Sequence, residues 1–186
     1  TAVGAELHHR SDEAARHEFP FGQDARYAGR LRDSGFISEA VHEALEPLPF
    51  LLRQPDHDQV PYKVSYFAHE TESNQAEVAR ALAPLPFETL AVWSHDHYLD
   101  VAPHNGAKGG AVDHLIAHWG LDPEAVVAAG DSGNDHSMLG RHWPGIVVGN
   151  GHPSLRTLRG RPSVYFAQRA FAAGVLEGLC ALGFLE

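Results

Sequence analysis

The sequence is poor in cysteine, in lysine and in long apolar runs. Its single cysteine, Cys180, excludes an internal disulfide and suits a reducing cytoplasm. That cysteine lies in the apolar run "GVLEGLCALGFL", which predicts a buried, inert thiol. No apolar run nears the roughly 20 residues that span a bilayer. The opening residues lack the basic-then-apolar layout of a signal peptide, so neither a membrane partner nor export is expected and the localisation reads as cytoplasmic. Zinc-type Cys-x-x-Cys and His-Glu-x-x-His patterns are absent. The fourteen histidines are scattered, and "HDH" at 95–97 lacks a third ligand at suitable spacing, so most read as exposed or strand-end residues. A formal net charge of −10 leaves no basic footprint for nucleic acid, whereas abundant carboxylates suit a divalent cation. Lys63 and Lys108 are the only lysines, against twelve arginines, and each therefore invites a chemical explanation.

What is present fits one or two soluble domains: 186 residues, 44% apolar and 20% charged. "TAVGAEL" at 1–7 reads as a short buried strand and the polar stretch 9–23 as a loop. "DARYAGRLRDSG" and "ISEAVHEALEPL" carry helical periodicity, the second bounded by Gly35 and Pro47. "PFLLRQ" and "YKVSYFA" are β-like. "SNQAEVARALAPL" predicts a helix with a Ser/Asn cap, and "FETLAVWS" and "HYLDVAP" predict two strands joined by a short turn. From 107 the texture becomes regular. "AKGGAVDHLIAHWGL" predicts a helix with Val112, Leu115, Ile116 and Trp119 on one face. "AVVAAG", "GIVVGN" and "SVYFA" are short buried strands, "NDHSMLG" opens a helix, and "AAGVLEGLCALGF" is a terminal helix. Apolar strands alternating with helices predict an α/β fold, a parallel sheet wrapped by helices, with an inserted α/β unit at roughly 10–95.

In open parallel sheets, ligands sit beyond the carboxyl ends of the strands. The stretch "AVVAAGDSGNDHSML" puts Asp131 directly after such a strand, with Asp135 four residues later across a glycine-rich turn. Two carboxylates 4 Å apart repel by about 4 kcal/mol at an effective dielectric of 20. One reading makes Asp131 a helix cap and Asp135 a first-turn carboxylate favoured by the helix dipole. The other makes both oxygen ligands of Mg²⁺, which removes the repulsion and bridges to a phosphate oxygen. Lys108 in "NGAKGG" sits at a helix start between glycines that permit close backbone approach. It reads either as a solvated surface lysine or as the charge that neutralises a phosphoryl group. Cation-binding aspartates and a phosphate-binding lysine together describe a phosphoryl-transfer site.

"GDSGND" after an apolar strand, with "KGGAV" some twenty residues earlier, resembles the third and fourth motifs of the haloacid dehalogenase superfamily. "AVGAEL", "QPDHDQVPYKVSY", "LDVAPHNGAKG", "GDSGND", "VVGNGHPSLRTL" and "VYFAQRAFAAGVLEGL", in that order, resemble its sucrose-phosphate phosphatase branch, whose close relatives include mannosylfructose-phosphate phosphatases. The resemblance implies a Rossmann-like core at 1–9 and 96–186 with an α/β cap at 10–95 that reads the sugar. It implies Mg²⁺ on Asp131 and Asp135, and Lys108 steadying the phosphoryl group. It further implies Lys63 reaching the sugar phosphate from the cap, with Gln54 in the same segment. Asn134 would orient the metal loop. His104 and Asn105 would contact the disaccharide, unless they are simply turn residues.

The family's chemistry also requires an N-terminal Asp-x-Asp, whose first aspartate forms an aspartyl-phosphate and whose second is the general acid/base. It further requires a Ser or Thr on the phosphate. Neither motif is found, and "SDEAARHEF" is a poor stand-in because no aspartate there follows a buried strand. The expectation is a fragment, inactive alone and marginal in its core, because the missing strand is central in the superfamily's sheet. The parent would be a sucrose 6-phosphate phosphatase, or a phosphatase of another sugar phosphate. The rival of a different class is a non-catalytic sugar-phosphate-binding module attached to a glycosyltransferase. A receiver-type signalling domain shares the Asp/Lys/Mg²⁺ logic but gives the α/β insertion no role.

Overall fold

A computed structural model describes residues 5–10 and 21–186. The chain divides into two compact units, the first ending at Ala107 and the second running Lys108–Glu186.

In the first unit, β1 (His8–Arg10) pairs antiparallel with β2 (Phe21–Gln23), where a continuous loop was expected over 9–23. Residues 11–20, and 1–4 of the expected first strand, lie outside the described residues. Ala5 and Leu7 are buried but precede the strand, and Leu7 accepts a backbone hydrogen bond from Asp24 N–H at 2.7 Å. Helix α1 (Ala25–Arg32) starts at Asp24, whose carboxylate accepts from Tyr27 N–H. Helix α2 (Ser38–Leu45) follows. An antiparallel sheet is then built from β3 (Leu52–Arg53), β4 (Val64–Phe67), β5 (Thr89–Ser94) and β6 (Tyr98–Pro103), in the order β3-β4-β6-β5. Helix α3 (Glu72–Leu82) is capped by Thr71, whose hydroxyl accepts from Asn74 N–H, not by the expected Ser or Asn.

Strand alternation sorts this sheet into two faces. Val64 and Tyr66 lie opposite Val101 and Leu99, and with Val41, Leu45, Val78 and Leu82 of α2 and α3 they form one core. The other face carries Ser65 opposite Asp100 and Phe67 opposite Tyr98. The boundary expected at 95/96 falls in the turn between β5 and β6, which pair over six positions. Residues 98–103 belong to the first compact unit.

The second unit carries a parallel sheet β7-β8-β9, from Ala128–Gly130, Gly145–Val147 and Val164–Phe166. One face packs on a core of Ile116, Leu139, Trp143, Val147, Leu155 and Leu158, with Ile116 supplied by α4 (Lys108–Trp119). The other face, through Ile146 and Val148, packs on α5 (Phe171–Ala181). Trp119 ends α4 and is 58% exposed, so it leaves the apolar face expected of it. Cys180 is exposed, not buried, because α5 turns Gly174, Val175, Gly178 and Leu179 to the sheet instead. The expected helix after Asp131 is a short 3₁₀ segment, Gly133–Met138. Its last carbonyls are taken by side chains, Ser137 O by Arg141 Nε and Met138 O by Trp143 Nε1, so no further helical turn forms.

Candidate active site

The 3₁₀ segment after β7 faces the first turn of α4. Gly109 N–H donates to Ser137 Oγ at 3.2 Å. A Cβ at Gly109 would lie 2.0 Å from Ser137 O, so only glycine lets the helix start come this close. Asp113, one turn further along α4, forms an ion pair with Arg141 and clamps the same two segments.

Lys108 opens α4 and points into this junction. Its ammonium donates to Asp135 Oδ1 at 2.5 Å and to Asn134 Oδ1 at 3.1 Å. An ammonium carries three N–H donors. The lysine side chain keeps 23% exposure, and its third donor has no partner among the described residues.

Asp135 is buried, and both its oxygens are engaged. Oδ2 accepts from the backbone N–H of Asp131 at 2.9 Å and of Ser132 at 3.1 Å, and from Ser132 Oγ at 3.3 Å. Gly130 makes room for it, since a Cβ there would lie 2.5 Å from Asp135 Cβ. The single Ser132 hydroxyl proton is shared between Asp135 Oδ2 and Asn134 Oδ1, the latter 2.7 Å away. The lysine and the backbone amides offset the charge of Asp135.

Asp131 is exposed at the end of β7. Its backbone carbonyl accepts from His152 N–H at 2.7 Å, and Asn150 Nδ2 approaches its Oδ2 at 3.4 Å. Asn150 Oδ1 accepts from Phe171 N–H at 2.7 Å, with Phe171 in the left-handed region at φ 52°. That second bond fixes which end of the amide faces the carboxylate. Asn150 lies in "VVGNGHPSLRTL", but no spacing rule in that stretch connects it to Asp131. His136, in the same 3₁₀ segment, has its imidazole pushed below its usual value by burial and by the Arg161 guanidinium.

Among the described residues no three His, Cys, Asp or Glu side chains group as a cage for a metal ion. Mg²⁺ needs less, since it commonly takes one or two carboxylates and completes its shell with water and phosphate. The exposed Asp131 carboxylate fits that donor chemistry. Asp135 fits it poorly in this arrangement, because its four hydrogen bonds would have to yield.

The structure thus brings together Lys108, Asp131, Asn134 and Asp135. The other expected site residues belong to the first unit. Lys63 is buried, with Nζ 3.2 Å from Asp100 Oδ1, and Ser65 Oγ donates to the same oxygen at 2.5 Å. Sequence reading missed Asp100 and Ser65; their opposition across β4 and β6 is visible only from the strand register. Gln54 donates its amide to Tyr66 O at 3.0 Å. His104 is exposed, 3.5 Å from Glu88. Asn105 Nδ2 donates to Arg30 O at 3.5 Å, and its Oδ1 is buried with no partner among the described residues. Asp56–Asp58 forms a short turn in the first unit, tied to Arg53.

A model of the sucrose-6F-phosphate phosphohydrolase family matches residues 1–182. The chain belongs to this family. Its α/β fold is that of the haloacid dehalogenase superfamily. The sucrose-phosphatase from Synechocystis sp. PCC6803, solved in complex with sucrose and phosphate, matches with a TM-score of 0.88 at 25% identity, over 100% of this chain and 74% of that one. The mannosylfructose-phosphate phosphatase of Agrobacterium fabrum is 29% identical over 78% of this chain and 60% of its own length. The glucosylglycerol-phosphate synthase of Pseudomonas anguilliseptica is 34% identical over 73% of this chain but only 18% of its own length. The chain therefore spans less than two thirds of these curated relatives. Among the described residues no helix is long and apolar enough to cross a membrane.

Proposed function

We propose that this chain is the cap and the phosphate-binding half of the core of a Mg²⁺-dependent phosphatase that acts on a phosphorylated disaccharide, sucrose 6-phosphate first. The observation that carries this reading is the Lys108 ammonium, held by Asp135 and Asn134 of the turn whose first residue, the exposed Asp131, follows a parallel strand. Lys108 binds a phosphoryl oxygen through its third N–H and offsets charge as it builds there. Asp135 fixes the direction of that ammonium. Asp131, braced by Asn150, would hold Mg²⁺, and Asn134 ties lysine to turn. Bound Mg²⁺ supplies Lewis-acid polarisation of the phosphoryl group.

The first unit is the sugar-reading cap in this proposal. Its buried Lys63–Asp100–Ser65 group offers donors and acceptors for sugar hydroxyls from one sheet face. The nucleophilic aspartate belongs to a further strand, and β7 has an unpaired edge among the described residues where such a strand would add. The chain alone is therefore expected to release no phosphate.

The experiment is phosphate release from sucrose 6-phosphate, mannosylfructose-phosphate and glucosylglycerol-phosphate by the longest natural protein containing this chain, with and without Mg²⁺. Turnover of the first substrate that is lost with chelator supports the proposal. No turnover of any of them overturns it. The likeness to a synthase that is mostly other sequence favours a second arrangement, a phosphatase or non-catalytic sugar-phosphate module joined to a glycosyltransferase. Tight binding of sugar phosphate without hydrolysis would identify the non-catalytic form.

A further inference from the structure

Two histidines of the first unit meet at the tip of its antiparallel sheet. His69 Nδ1 and His97 Nδ1 are 3.1 Å apart, their rings 4.7 Å between centroids and 75° to one another. The two residues come from separate segments, and the backbone fixes both. His97 closes the turn between β5 and β6 by donating its N–H to Ser94 O at 3.3 Å, and the two central residues, His95 and Asp96, have φ of 53° and 59°. His97 O accepts from Ala68 N–H at 3.0 Å, and Asp96 O from Glu70 N–H at 3.2 Å, so the chain around His69 is stitched to that turn. His69 O accepts from Asn74 Nδ2 at 2.8 Å. Both rings are exposed.

We propose that His69 and His97 form a two-imidazole site for a first-row transition cation of the Zn²⁺, Ni²⁺ or Cu²⁺ class. Metal–imidazole bonds of about 2.0–2.1 Å put two nitrogens about 3.3 Å apart at a tetrahedral angle and about 2.9 Å apart at a right angle. The observed 3.1 Å lies between these values, so the spacing of the two nitrogens already matches that of a chelated ion. Without metal, one Nδ1–H donates to the other Nδ1. On binding, that proton is carried at the ring's Nε2 instead, and both Nδ1 lone pairs turn to the cation. No third His, Cys, Asp or Glu joins the pair as a ligand among the described residues, so water completes the shell. Paired imidazoles select borderline cations over Mg²⁺. The site is therefore chemically separate from the one that Asp131 would supply, and it stands whether or not the phosphatase reading holds. A bound ion staples the end of β4 to the β5–β6 turn.

The test is titration of the full chain with Zn²⁺, against a chromophoric indicator in excess Mg²⁺. One equivalent should bind with a Kd in the micromolar range, and His69→Ala and His97→Ala should each weaken it about tenfold or more, the expected cost of halving the chelate. His57→Ala, an exposed histidine on the Asp56–Asp58 turn, should bind as the parent does. Substoichiometric Cu²⁺ should broaden the amide signals of residues 68–70 and 94–98 in the parent chain, a readout that needs no variant to fold. Binding unchanged in both histidine variants, no saturable binding, or broadening centred elsewhere would overturn the assignment.

Discussion

Lys108 Nζ lies 2.5 Å from Asp135 Oδ1 and 3.1 Å from Asn134 Oδ1, so the turn that presents Asp131 also aims that ammonium. Substituting Lys108→Ala in the hydrolysing protein should lower kcat by about 10²–10³, the usual cost of one pre-aimed charge donor. Lys108→Arg should not restore it, because a planar guanidinium cannot place a third donor where the ammonium does. Steady-state phosphate release measures both.

Asp135→Asn removes the charge that holds Lys108 and sets an amide group against two backbone N–H donors. Unfolding in urea should show a loss of about 2–3 kcal/mol, in the range for charged hydrogen bonds broken in a buried setting. Activity should fall with it even where the variant is fully folded, since the ammonium loses its anchor.

The Lys63–Asp100 pair has side chains only 10% and 11% exposed. Asp100→Ala strands both the ammonium and the Ser65 hydroxyl and should cost about 3 kcal/mol. Lys63→Met with Asp100→Leu should recover most of that stability, because two apolar groups replace a buried charge pair. Lys63→Ala should raise KM for the sugar phosphate more than it lowers kcat. Urea melts and kinetics read the two effects apart.

Glu177 in α5 accepts from the backbone N–H of Gln168 and Arg169, at 2.9 Å each, and from Tyr165 Oη at 3.0 Å. Those backbone donors hold its carboxyl below its usual value. A depressed carboxyl contributes stability that is complete above the ordinary carboxylate range and is lost as pH falls through its folded value. Glu177→Gln should therefore lower Tm at neutral pH, and the difference from the parent should close on acidification below the carboxylate range. A constant difference down to pH 2–3, well under the ordinary carboxylate value, would refute this origin of the effect.

The strands of the parallel sheet were legible because short buried apolar runs bounded by glycine and polar residues have few other uses. The grouping of Asp131, Asn134 and Asp135 was legible from the turn after "AVVAAG", whereas Lys108 in "NGAKGG" was joined to them by the resemblance. The division of labour between the two aspartates was not legible. It depends on backbone N–H groups of Asp131 and Ser132 closing on Asp135, and a sequence does not show where its amides point. Cys180 misled because an apolar run says that a helix is packed, not which of its sides is; Gly174 and Gly178 decide that. His69 and His97 are twenty-eight positions apart, and only strand register makes them neighbours.

Both side-chain amines of this chain are bound to carboxylates, Lys63 on a sheet face and Lys108 at a helix start with 23% of its side chain open. Reagents that acylate amines thus meet one accessible lysine where most proteins offer a dozen. Its rate of modification becomes a direct gauge of the proposed phosphoryl site, slowing if ligand binds there and quickening when Asp135 lets go.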